Sequence, residues 1–89
     1  TISYRWLDAS EYDCRSQYGC WGLLVQSATA CTKSLRVKVV LREQDREETE
    51  DVWKIRKDVK AGDDVRFRID APAGGARTAA IAKIRCTQT

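Results

Sequence analysis

The sequence predicts an all-β protein, a small antiparallel β-sandwich of about six strands stapled by two disulfides. Three observations carry this. The clearest periodicity is two: Leu35, Val37, Val39 and Leu41 alternate with Arg36, Lys38, Val40 and Arg42, the pattern of a strand with one face buried. Turn-forming residues recur every ten positions or so, as expected of short antiparallel strands. Finally, 89 residues hold four cysteines and no histidine, and an even cysteine count in a short chain reads as a disulfide framework made in an oxidising compartment.

Taken in order along the chain, a first strand is expected near Ala9 to Asp13, before Cys14. Trp21 to Ser27 is a mixed apolar run that ends in the small polar turn Ala28-Thr29-Ala30-Cys31-Thr32-Lys33. The alternating strand Leu35 to Arg42 follows. Arg42 to Ala61 has two readings. As a hairpin, Glu43 to Asp51 is a solvated connection, and a strand from about Val52 to Val59 alternates Trp53, Ile55, Lys57 and Val59. As a helix, Glu50 and Lys54 form an i,i+4 pair and Gly62 caps the end. The helix would present only Val52, Ile55 and Val59, a narrow stripe for a core-facing helix, so the hairpin is preferred. Val65, Phe67 and Ile69 alternate with Arg66, Arg68 and Asp70. The loop Asp70 to Gly75 holds the only proline and ends that strand. The last strand, Thr78 to Cys86, sets Ala80, Ala82, Ile84 and Cys86 against Ala79, Ile81, Lys83 and Arg85.

One domain over residues 1–89 is expected. A chain of this size buries only about 60–65% of its unfolded surface, so covalent staples are physically reasonable. Charged residues make up 33% and hydrophobic ones 43%, too apolar for a disordered tail. The longest uncharged stretch, Ser16 to Thr32, is broken by Gln17, Gln26 and small polar residues, so no membrane span is expected. A start at Thr1 is what a processed secreted domain would have. The cysteine spacing C-x5-C-x10-C-x54-C lacks the close ligand pairs of a zinc site, and no histidine can substitute. No metal or cofactor is therefore expected. Strand direction selects among the three possible pairings. In a six-strand sandwich Cys14 and Cys20 share one end and Cys31 and Cys86 the other, which predicts Cys14–Cys20 and Cys31–Cys86. A helix over Arg42 to Ala61 would change the strand count and remove the basis for this pairing.

The run from Trp21 to Phe67 resembles the FxLYD-type and related immunoglobulin-like domains of bacterial extracytoplasmic proteins. Those carry a V-x-N-x-S strand end, an S-V-x-V-x-V strand, an acidic turn and V-x-x-L-x-P-G-x-x-x-x-F. The counterparts here are Val25-Gln26-Ser27, Ser34-Leu35-Arg36-Val37-Lys38-Val39, the turn at Asp45, Val59-Lys60-Ala61-Gly62 and Phe67. The chain departs from the pattern at Gln26, where the family has Asn, and at Ala61, where it has Pro. The resemblance implies an immunoglobulin-like, secreted or cell-surface module without catalytic residues.

Charge is uneven. Glu43 to Asp51 holds six acids and one arginine, net −5, which leaves the rest at +8 against +3 for the whole chain. Arg36, Lys38 and Arg42 project from one strand and Arg66 and Arg68 from another. If those strands were sheet neighbours, the five would merge into a basic stripe that attracts polyanions. The plainer account is that outward strand positions are normally charged and that edge charges discourage aggregation. Nucleic acid is the least favoured polyanion, because an oxidising compartment holds little of it. Among the aromatics, Trp21 and Trp53 are expected in the core, while Tyr4 and Trp6 are candidates for contact with another chain.

Catalysis is set aside on chemical grounds. Without histidine, serine chemistry lacks its usual base, and no Ser-x-x-Lys pattern supplies a lysine instead. The acids cluster in turn-like, polar segments rather than the apolar pocket a glycosidase acid needs. The expectation is a non-catalytic, secreted or cell-surface interaction or structural module whose partner is a protein or an anionic surface polymer. The alternative is a free-standing secreted effector, an inhibitor or toxin-like protein acting through its loops or basic face.

Overall fold

A computed structural model of the chain describes residues 1–15, 17–42, 49–72 and 78–88. Six strands form: β1 Ile2–Trp6, β2 Cys20–Ser27, β3 Ser34–Arg42, β4 Thr49–Arg56, β5 Val65–Asp70 and β6 Thr78–Thr87. They make two three-stranded antiparallel sheets, in the orders β1-β2-β5 and β4-β3-β6. The chain passes between the sheets after β2, β4 and β5, an order compatible with an immunoglobulin-like arrangement. Within Arg42 to Ala61 the described residues form strand β4, which ends at Arg56 and pairs antiparallel with β3, and no helix. The strand begins at Thr49, earlier than expected, and residues 43–48 lie outside the described residues, as does the Asp45 turn of the resemblance.

Apolar residues at every second position supply the core. Leu23, Val25, Leu35, Val37, Val39 and Ile69 are fully buried, with Leu41, Val65, Phe67 and Val59 nearly so. Residues directly opposite one another in an antiparallel pair share a face, so the pairs Leu23↔Phe67 and Val25↔Val65 aim one sheet's apolar face at the other. Cys31–Cys86 and Cys14–Cys20 are the two disulfides, with Cα separations of 5.1 and 5.8 Å.

The first strand is a correction. Ala9–Glu11 is a 3-10 turn, and β1 lies upstream of it at Ile2–Trp6. The turn is held by the Asp8 amide, which donates to Glu11 Oε2 at 2.8 Å, and by a two-point Arg5–Glu11 contact at 3.0 and 3.1 Å. Tyr12 then packs its ring against Gly22. A Cβ at Gly22 would stand 2.4 Å from its ring, so only glycine fits there. The Tyr12 hydroxyl donates to the Cys20 carbonyl at 3.0 Å. A polar segment thereby covers the outer side of β2 near Gly22.

β4 is inverted relative to expectation. Val52 packs on the core, while Trp53 and Ile55 are 49% and 51% exposed. Trp53 is therefore not a core residue. Trp21 is partly buried and packs against the core. A period of two identifies a strand but is silent about which face is inside. Here the register with β3 decides, setting Lys54 opposite Val37 and Arg56 opposite Leu35. Arg56 serves a purpose on the inner side. Its guanidinium lies 5.7 Å from the Phe67 ring centroid and donates to the Arg66 carbonyl at 3.0 Å, tying β4 to β5.

β6 changes face partway along. Lys38 pairs with Lys83 but Val39 pairs with Ile81, so Ala82 is an extra residue at a β-bulge. Ala79 and Ile81 before it, and Ile84 and Cys86 after it, all reach the core. The unbroken alternation expected over Thr78 to Cys86 is replaced by two half-strands of opposite phase.

Candidate binding face

The five cations singled out in the sequence do not form one stripe. Arg36, Lys38 and Arg42 lie on the outer face of the β4-β3-β6 sheet, whereas Arg66 and Arg68 lie on β5 in the other sheet. β3 and β5 are not neighbours, because β5 pairs with β2. Arg66 and Arg68 also have partners close by. Arg66 Nη1 approaches the Glu11 carbonyl at 3.5 Å, and Arg68 Nε lies 3.3 Å from Asp70 Oδ1.

The neighbours of β3 supply different cations. Arg36 is directly opposite Arg85, and Lys38 is directly opposite Lys83. Facing side chains of this kind have Cβ atoms about 5 Å apart, and the two rows are about 7 Å apart along the strand. The result is a compact cationic quartet. Like charges set opposite one another weaken a sheet, so this arrangement costs stability in the free protein. On the β4 side the same two rows continue into Ile55 and Trp53, both exposed apolar side chains. Lys38 Nζ lies 5.8 Å from the Trp53 ring centroid and 3.3 Å from Asp51 Oδ2. Asp51 is the acid of this face among the described residues. The next rows along the face are Asp51–Val40–Ala80 and Thr49–Arg42–Thr78.

Lys83, Arg85, Trp53 and Ile55 were not among the candidates named from sequence. The alternation Lys83-x-Arg85 was visible, but its juxtaposition with Arg36-x-Lys38 depends on β3–β6 pairing across more than forty residues. Tyr4 and Trp6 are a separate group. They lie on β1, opposite Val25 and Leu23, and are 50% and 37% exposed. On the outer side of that sheet a shallow, open groove is lined by Ser3, Arg5, Leu24 and Gln26, with Tyr4 at its margin.

Glu11 has the one strongly displaced carboxyl among the described residues. The Arg5 hydrogen bond, the Asp8 amide and the nearby Arg66 charge hold its pKa down at about 2. The same contact raises the pKa of Arg5. Since both groups are spent on each other, this site is a clamp on the 3-10 turn rather than a reactive pair. Among the described residues no helix is long and apolar enough to cross a membrane.

No family model, curated protein or solved structure matches this chain.

Proposed function

We propose that this protein is a non-catalytic interaction module of a secreted or cell-surface protein, of the extracytoplasmic kind its FxLYD-like residues imply. Its partner is an anionic surface polymer, bound on the outer face of the β4-β3-β6 sheet. The observation that carries this reading is the quartet Arg36, Arg85, Lys38 and Lys83, paired like against like on one sheet face. Two such pairs make the free sheet less stable, and a bound polyanion removes the repulsion while releasing its own counterions. Trp53 and Ile55 beside the quartet add flat apolar area that does not depend on salt. The two disulfides suit an oxidising compartment.

The test is retention on an immobilised sulfated polysaccharide across a salt series. Retention of the wild-type protein should fall steeply as salt rises. The double variant Arg36→Glu with Lys83→Glu should lose at least about tenfold in affinity. Each new acid in it faces a remaining cation, Arg85 or Lys38, so the fold should be preserved or slightly stabilised, by well under about 1 kcal/mol per pair. Retention equal to wild type in that variant overturns the proposal.

A further inference from the structure

The two sheets do not cover each other equally. β4 and β5 approach on one flank of the sandwich. On the opposite flank β1 and β6 are the outer strands of their sheets, and Ser27 at the end of β2 has its Oγ 3.9 Å from Cys86 Sγ, so this end of β6 stands across from β2. On that flank Tyr4 and Trp6 share the inner face of their sheet with Val25 and Leu23, which are fully buried, yet they remain 50% and 37% exposed. Ala79, Ile81 and Ile84 of β6, in the other sheet, are also only partly buried. β6 pairs with β3 on one side, and among the described residues no strand pairs with its other edge. The flank is thus one strand short. A further strand added beside β6 would satisfy its open backbone edge and lie across Tyr4 and Trp6.

We propose that this slot accepts an extended segment of another protein by strand addition, and that the segment alternates apolar with acidic residues. The apolar positions follow from the inner faces of β1 and β6. The acidic positions follow from Lys83 and Arg85, which project outward on the strand the segment would join, so acids on its outward side would stand directly opposite these cations. A second copy of this chain fits less well. Pairing β6 with the β6 of another copy would line up Lys83 and Arg85 with the same cations. The bulge at Ala82 and the two charges also guard the edge against indiscriminate pairing, leaving selection to charge.

The test uses two capped octapeptides, one alternating valine with glutamate and the other valine with lysine, added to the full protein. Amide hydrogen exchange locates the contact. The glutamate peptide should slow exchange along β6 and bind at least about tenfold more tightly than the lysine peptide. In the variant Lys83→Glu with Arg85→Glu, which faces Arg36 and Lys38 and so keeps a favourable β3–β6 pairing, the preference should reverse. In Tyr4→Ser with Trp6→Ser, peptide binding should weaken while retention on the anionic matrix is unchanged. That last contrast separates this slot from the basic face. Equal binding of the two peptides, protection confined to other strands, or a concentration-dependent dimer that protects β6 without peptide would each overturn the proposal.

Discussion

At Glu11, one carboxylate organises a stretch that has neither strand nor helix periodicity. It accepts from the Asp8 amide and from Arg5 at once, and this closes the 3-10 turn over the outer side of β1 and β2. The Asp8-x-x-Glu11 spacing is that of a capping box, the one local signal that could have located the turn from sequence, whereas Ala9 to Asp13 carries no alternation to support a strand. The pH consequence follows from the sign of the shift. The folded pKa, about 2, lies below the ordinary value of 4.5. The ionised form is therefore favoured by folding, and its contribution is complete above about pH 4.5 and lost as pH falls through about 2. Acid titration of thermal stability should show wild type losing more between these limits than Glu11→Gln. Parallel curves for the two proteins would mean that the clamp contributes nothing to folding.

The strands differ in how much of each was legible. β3 and β5 keep one phase from end to end, and their burial follows the alternation of Leu35 to Arg42 and Val65 to Asp70 position by position. β4 alternates just as clearly, but its exposed Trp53 and Ile55 show that the more hydrophobic set need not be the inner one on an edge strand, where the partner's register sets the face. β6 hides its irregularity, because a string of Ala and Ile reads equally well in either phase. The bulge at Ala82 is what lets Ile81 and Ile84 both reach the core. Deleting Ala82 should therefore join the two halves in a single phase, with Val39 still opposite Ile81 and Lys38 opposite Lys83, and keep Ala79, Ile81, Ile84 and Cys86 inward. We expect stability to change by no more than about 1 kcal/mol, measured by denaturant unfolding, with the Cys31–Cys86 bridge formed as in wild type. A loss of about 2 kcal/mol or more would show instead that the closure of the sandwich depends on the twist that the bulge supplies.

For the whole molecule, the disulfides do unequal work. Cys31–Cys86 spans 55 residues and Cys14–Cys20 only 6. In the chain-entropy model the first contributes about 4 kcal/mol and the second about 2 kcal/mol. Cys31 is also fully buried and hydrogen-bonded through its backbone to Val59, at 2.8 and 3.1 Å. Replacing Cys31 and Cys86 by Ala should lower the melting temperature well beyond replacing Cys14 and Cys20. The reverse order would place the stability in the Tyr12–Gly22 cover instead of the inter-sheet bridge.

The sequence by itself determined the class of object: all-β, about six strands, two bridges, with β3 and β5 as its best-defined strands. Those properties rest on local periodicity and on counts, which need no knowledge of what lies next to what. It also determined that one strand precedes Cys14, which preserves strand direction even though that strand is β1 at Ile2–Trp6. Only the tertiary structure decided which cations stand together. Arg36 and Arg66 lie on similar alternating strands, and nothing local says that one belongs to the β4-β3-β6 sheet and the other to β1-β2-β5. Sheet neighbourhood is a long-range property, set by how two apolar faces can close on each other. The basic quartet, the open β1–β6 flank and the outward turn of Trp53 all follow from that closure.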